Sequence, residues 1–331
     1  MAPTDDLVSV IIPTWNRSDM LRQAVQSVRS QTWRNWQIII ADDGSTDNTA
    51  EIVSGMADVE YYRQVHSGQA AARNLGLQHA RGRYLTTLDS DDLWLPGYLE
   101  KSIGALEAFR ADLVFSNWIH RCVDGEITPS YWETSLRWRE YTNGSKDPWH
   151  LVTAPQSRRL FLEGCPSPSS GVVLRRQIPQ PNWNDQLHIT DDWCMLLEFA
   201  LRPSIRIAFT MDPLWIKRIT PESISERWDP SGEVLRYFME DIASMGRLFG
   251  DRLTSEERIA LDKNSEMFFL SHARKLIQSP GTRRKGLAFL GRTIRKHPIF
   301  LFEFARNFCI RNIYVAGNAN RIQDLRRIAA G

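Results

Sequence analysis

Cysteine is scarce in this 331-residue chain: Cys122, Cys165, Cys194 and Cys309 are the only four. None sits in the close pairs that bind zinc, and their density is far from that of a disulfide framework. A stapled secreted scaffold is thereby excluded, and a reducing cytosol is expected, with the cysteines as small core residues. Long apolar runs are missing too. No stretch reaches the roughly 18 uncharged apolar residues of a membrane-spanning helix. "MAPTDDLVSVIIP" opens with acids rather than with the basic and then apolar layout of a secretory leader, so none is expected. Both glycine-rich phosphate loops are absent: GxxxxGK[ST] occurs nowhere, and no GxGxxG follows the first β-favouring run. A diphosphate on this chain must therefore be held another way, and the alternative is a divalent cation on carboxylates.

What is present is a 42% hydrophobic composition, enough for one large core or two smaller ones. Charge is unevenly placed. From His272 onward 13 Lys and Arg face only Glu303 and Asp324, which leaves residues 1–271 at a net −9 against +2 for the whole. Short β-favouring runs lie at 8–12, 36–41, 59–62, 83–88 and 112–118, with helical stripes between them, one through Leu21, Ala24, Val25 and Val28 and another over 70–80. Pro96 suits the first turn of a helix running to about Phe109. This alternation predicts a doubly wound α/β domain. Beyond His120 the pattern loosens into a segment with Trp132, Trp138 and Trp149, read as a variable substrate-facing region up to Ser169. A strand follows at 170–176, then a helix entered through acids in "TDDWCMLLEFALR", then a strand in "SIRIAFT". From Asp229 the chain reads as helical, with "TSEE" at 254–257 as a capping start.

Each of the first four strands is followed by a polar cluster: "PTWNR", "DDGSTD", "QVHSGQ" and "DSDD". Ligands of such sheets bind beyond the carboxyl ends of the strands, so the recurrence marks a site. "DSDD" brings Asp89, Asp91 and Asp92 within four positions, and like charges this close disfavour ionisation unless a cation screens them. Mg²⁺ or Mn²⁺ with one or two carboxylates and substrate phosphate oxygens meets that need. An EF-hand is excluded, since glycine at the sixth position is missing. An aspartyl-phosphate phosphatase places Asp-x-Asp on the first strand rather than the fourth. An acidic helix-capping turn accounts for one or two of the acids but not for all three.

"VSVIIPTWNRSDMLRQAVQSVRSQTWRNWQIIIADDGSTDNTAEIV" and "HSGQAAARNLGLQHARGRYLTTLDSDDLWLPGYL" resemble, in order and spacing, the nucleotide-sugar-binding half of inverting family 2 glycosyltransferases of GT-A fold, continuously from about Leu7 to Trp118. The resemblance implies a GT-A catalytic domain with a mixed, mostly parallel sheet over 1–228, with a nucleotide-sugar half at 1–119 and an acceptor half at 120–228, followed by a helical basic region at 229–331. It further implies that Pro13, Thr14 and Arg17 line the nucleotide pocket and that Asp42 or Asp43, the latter preferred, bonds the base. Arg73 and Asn74 then approach base or ribose, unless Arg73 is spent on an ion pair with an acid. Asp89 meets ribose or sugar, and Asp91 holds Mn²⁺ or Mg²⁺. Asp92 is left as a support for the metal ligands or as the cap of the helix entered at Pro96.

"DQLHITDDWCMLLEFALR" resembles the family's acid-pair segment, which implies Asp192 as general base with Asp191 beside it. "IKRITPESIS" resembles a segment where relatives carry Arg and then His; here Arg218 is followed two positions on by Thr220, leaving Arg218 to contact the diphosphate. The implied reaction is inverting transfer from a nucleoside-diphosphate sugar, with uridine diphosphate the usual choice, to a glycan or lipid-linked hydroxyl in bacterial cell-surface polysaccharide synthesis. The competing readings are a sugar-nucleotide-binding partner without transferase activity and a sugar nucleotidyltransferase, whose glycine-rich loop "PTWNR" lacks. The basic tail reads equally as an amphipathic anchor for an anionic membrane, placing a cytoplasmic protein on the inner face of the plasma membrane, or as a lid on the acidic domain. Nucleic acid is not an expected partner.

Overall fold

The computed structural model describes residues 6–130, 132, 138–142, 147–176, 182–220, 223, 231–279, 281–296 and 319–330. In chain order the first half comprises β1 (Val8–Thr14), α1 (Ser18–Arg29), β2 (Trp36–Asp42), α2 (Thr49–Ser54), β3 (Val59–Arg63), α3 (Gln69–His79), β4 (Tyr84–Thr87), β5 (Asp92–Trp94), α4 (Tyr98–Ala108) and β6 (Leu113–Cys122). There follow β7 (Ile127–Pro129), α5 (Trp138–Thr142), β8 (Trp149–Val152), α6 (Ala154–Leu162), β9 (Val172–Arg175), α7 (Asp191–Ala200) and β10 (Ile207–Ile219). Four further helices are α8 (Glu233–Phe249), α9 (Ser255–Gln278), α10 (Arg283–Lys296) and α11 (Ala319–Ala330).

One ten-stranded sheet organises these elements in the order β3-β2-β1-β4-β9-β6-β10-β5, with β7 paired to β6 and β8 to β10. β1 and β2 are parallel neighbours and almost wholly buried, as their unbroken Val and Ile runs require of a sheet covered on both faces. Gly76 lets α3 lie directly on β1, because a Cβ there would stand 2.4 Å from Ile11 Cγ2. β9 runs antiparallel between β4 and β6. The beginning of β9 therefore meets the carboxyl end of β4, while on its other side Val172 lies beside Phe115, near the start of β6. This insertion has no signature in the sequence, since an antiparallel strand buried on both sides reads like its parallel neighbours.

Several expectations need correcting. The helix expected at Pro96 starts at Tyr98, behind Gly97, whose φ of +85° is one that glycine adopts at no steric cost. Asp92 lies on β5 and is no helix cap. Trp132 and Trp138 are not substrate-facing: their rings stand 3.8 Å apart by centroid, buried against Phe115 and Phe209 of β6 and β10. The aromatic area demanded burial, and the sheet's exposed side was available. Cys194 is buried as expected, Cys122 and Cys165 only half so, and Cys309 lies outside the described residues.

The capping box at Thr254 and Glu257 opens α9 as read. α10 packs on α9, with Phe289 stacked on Phe269 at 5.0 Å. α11 returns to the sheet, where Leu325 and Ala329 pack with Ile119, Ile127 and Ile216. These described parts of the tail thus pack on the protein, while residues 297–318 of the apolar-basic stretch lie outside the described residues. No helix among the described residues is long and apolar enough to cross a membrane.

Candidate active site

The loops after β1, β2, β3 and β4 meet at the carboxyl edge of the sheet, as the polar clusters predicted. Asn16, in the left-handed region at φ +52°, knots the first two loops: its side-chain oxygen accepts from Thr46 N at 2.7 Å, and its own N–H donates to Ser45 Oγ at 2.9 Å. Pro13 and Thr14 end β1 beside Ala41 and Asp42. Thr14 Oγ1 is buried and makes no hydrogen bond within the protein.

Both candidate base-binding acids are already heavily used. Asp42 accepts from Ser45 N at 2.8 Å and from the Tyr61 hydroxyl. Asp43 accepts from Gln64 Nε2, Ser67 N and Gly68 N, each at 2.8 Å, and stands 2.8 Å from His66 Nδ1. Asp43 thus fastens the loop after β3 to the loop after β2. Trp15 stacks on His66 across the same junction, centroids 4.4 Å apart, and stays half exposed at the ligand edge. The residue types alone did not single out this pair, although "PTWNR" and "QVHSGQ" contain it.

The carboxylates of Asp89, Asp91 and Asp92 each offer an oxygen within 4.8 Å of the others. Burial raises the Asp91 pKa, with Asp89 adding repulsion, against the pull of Arg17, whose guanidinium stands 2.7 Å away. Asp92 is driven further up by burial and by both neighbouring acids. It accepts from Ser170 Oγ at 2.7 Å and Arg218 N at 3.2 Å, which makes it a buried support of the turn. Ser170 also accepts from Asp89 N at 3.1 Å, so one hydroxyl at the start of β9 holds both ends of the acidic turn. Gly171 leaves room for that approach: a Cβ there would lie 2.5 Å from both Ser167 Oγ and Trp215 Nε1. Three clustered carboxylate oxygen donors fit a hard divalent cation.

Arg218, on β10, clasps the same turn from the other side. Its guanidinium donates to the carbonyls of Asp91 and of Ser90, and to Gln23 Oε1 at 2.7 Å. Burial lowers its pKa against the pull of Asp92 and Asp91. These bonds hold the acidic turn rather than leaving the group turned outward for a diphosphate.

The acid pair opens α7 on the opposite wall. Asp191 is buried and accepts from Gln69 Nε2 and Arg73 Nη1, both at 2.5 Å. Arg73 Nη2 reaches Asp89 at 2.8 Å, so one buried guanidinium spans the two acidic clusters. Burial works against the Arg73 charge, but Asp89, Asp191 and Asp192 outweigh it and hold the guanidinium protonated beyond its usual range. Asn74 turns away, bonding the Trp183 backbone at both its N–H (3.0 Å) and its carbonyl (2.7 Å). Asp192 accepts from Trp193 N at 2.7 Å and Ser169 N at 3.3 Å. Its pKa is pushed up to about 6 by burial and then by the charge of Asp191.

Residues 9–164 match the family described as "Glycosyl transferase family 2". An Escherichia coli relative described as "UDP-Glc:alpha-D-GlcNAc-diphosphoundecaprenol beta-1,3-glucosyltransferase WfgD" is 34% identical over 117 residues, which are 34% of this chain and 46% of that one. Matched segments span from 17% to 46% of the lengths of these curated relatives. Among solved structures, Staphylococcus aureus TarS residues 1–349 in complex with UDP-GlcNAc superposes with a TM-score of 0.55 at 17% identity, over 97% of this chain and 90% of that one. "Mannosyltransferase PcManGT from Pyrobaculum calidifontis in complex with GDP-Man and Mn2+" gives 0.56 at 15% identity, over 98% and 85%. Motif order and sheet topology converge with these matches: residues 9–164 are similar to glycosyltransferase family 2, and the chain has the GT-A fold.

Proposed function

We propose that this chain transfers a sugar from a nucleoside-diphosphate donor to an acceptor hydroxyl with inversion at the anomeric carbon. The observation that carries the reading is the base. Asp192, with a pKa of about 6, stands at the start of α7 within the field of Asp89, and Arg73 ties Asp89 to the neighbouring Asp191. An acid so tuned is ionised at neutral pH yet basic enough to take a proton from a hydroxyl as the new bond forms. A single protein carboxylate serves, because the leaving group is a diphosphate rather than an alcohol.

Asp91, with Asp89 and Asp92 beside it, would hold the cation, Mn²⁺ or Mg²⁺. When bound, such an ion neutralises charge on the departing diphosphate. Arg17, beside Asp91, adds positive charge on the donor side. The half-exposed Trp15 on His66 offers a stacking face for the base, while Asp43 holds the pocket floor through its four partners rather than presenting a free oxygen. A uridine diphosphate sugar is the first donor to try, since UDP is named for TarS and for the E. coli relative; GDP-mannose, named for PcManGT, is the second. The lipid-linked acceptor in the E. coli relative's name supports an acceptor of that class in cell-surface polysaccharide synthesis. α10 carries six Lys and Arg with no acid and leaves Leu287 half exposed, which supports peripheral placement on an anionic inner membrane face.

The test is a screen of UDP- and GDP-sugars for hydrolysis and transfer with Mn²⁺ or Mg²⁺, run on the intact chain, Asp91→Ala and Asp192→Asn. Turnover in the intact chain that both substitutions remove is the expected result. Donor binding without turnover in the intact chain would instead favour a binding protein.

A further inference from the structure

Asp192 has few side-chain anchors of its own, so its place depends on where α7 begins. That point is set from outside the region matched by family 2. Asp241 of α8 is buried and turns its carboxylate onto the three residues preceding the acid pair. His188 N donates to Oδ1 at 2.9 Å, and Ile189 N and Thr190 N to Oδ2 at 2.9 and 3.0 Å. His188 Nδ1 stands 2.9 Å from Oδ1. Thr190, although it occupies the N-cap of α7, makes no side-chain cap bond to its own helix; its hydroxyl donates to Asp241 at 3.2 Å. One turn earlier on α8, Tyr237 stacks on the His188 ring at 4.3 Å. Successive N–H groups wrapped around one buried carboxylate form a rigid anion nest, and the charge-assisted bonds are stronger than neutral ones.

We infer that Asp241 is a positioning residue for proton removal: by gripping 188–190 it fixes the first turn of α7 and with it the Asp192 carboxylate. The inference rests on the proposed transferase reading. It makes α8, in the region following the 1–228 domain expected from sequence, part of the catalytic unit. Asp241 touches neither donor nor cation in this role, so its loss acts on turnover and spares donor binding.

Full-length Asp241→Asn, Thr190→Val and Asp192→Asn variants test this, with hydrolysis of UDP-glucose, UDP-N-acetylglucosamine and GDP-mannose in Mn²⁺ as the readout and UDP–Mn²⁺ affinity by calorimetry as the control. Asp241→Asn sets an amide NH2 against N–H donors, and kcat should fall by about tenfold or more, since displacing a catalytic group by about 1 Å can cost 100-fold. Donor KM and UDP affinity should stay within about twofold. Thr190→Val removes one of the bonds and should cut kcat less, in the same direction; if Asp241→Asn does not fold, this variant decides. Full kcat in the folded variants, or equal losses in kcat and donor affinity, overturns the inference. Hydrolysis surviving in Asp192→Asn overturns the base assignment on which the inference rests, whereas donor binding without hydrolysis in the intact chain overturns the transferase reading itself, so the two failures are distinguishable.

Discussion

Arg73 Nη1 lies 2.5 Å from the Asp191 carboxylate across 118 positions of chain, and the two side chains are only 3% and 0% exposed. Two halves of the site are joined by a cation that has no water to fall back on. Arg73→Ala would leave Asp191 and Asp89 without their counter-charge, and breaking a buried pair on one side costs about 3–5 kcal/mol. Urea denaturation at neutral pH should show a loss of that order. Arg73→Lys should recover only part of it, because a single ammonium cannot bridge both carboxylates.

The pH profile of turnover should report Asp192. As a general base it must be ionised, so kcat/KM should fall about tenfold per unit as pH drops below about 6 and level off above it. An acid limb centred near the ordinary aspartate value of about 4 would contradict the assignment.

Stability should move the opposite way. The folded protein holds the Asp192 proton more tightly than the unfolded chain does, so the ionised carboxylate costs stability at pH values above about 6, and the cost fades as pH falls toward the unfolded value of about 4. Asp192→Asn should therefore raise the denaturation midpoint at pH 7 while abolishing turnover, and the gain should vanish near pH 4.

Removing divalent cation with a chelator should weaken UDP binding, and Mn²⁺ or Mg²⁺ should restore it. Asp91→Ala should bind UDP weakly and no longer respond to added metal in calorimetry, while its unfolding midpoint stays at or above that of the parent because one member of a repelling cluster is gone.

Gly171→Ala should destabilise by about 1–3 kcal/mol, the usual cost of forcing atoms into a filled core. The added methyl meets Ser167 and the Trp215 indole next to the Ser170 hydroxyl that braces the acidic turn, so metal-dependent UDP affinity should fall along with the denaturation midpoint.

The parts legible in the sequence were those with local causes. Continuous Val and Ile runs announced β1 and β2, the Thr254 capping box announced α9, and each polar cluster marked the strand end where the site lies. Individual contacts were less accessible, for a physical reason. Arg73, Arg218 and Asp43 have the side chains expected of ligand-binding groups, yet their hydrogen bonds go to other parts of the fold, and which partner wins depends on segments separated by up to 198 positions. Ser170 and Asp241 were invisible for the complementary reason. A serine among small residues and an acid on an amphipathic helix look ordinary until β9 and α8 deliver them to the acidic turn and to the start of α7.

The shared guanidinium of Arg73 also bears on how such enzymes can be recombined. A graft that exchanges the acceptor half, and with it the start of α7, imports a buried carboxylate that needs an arginine on α3 of the recipient. Chimeras cut between the halves should express as folded protein only when donor and recipient agree on that one charge pairing, whatever their similarity elsewhere.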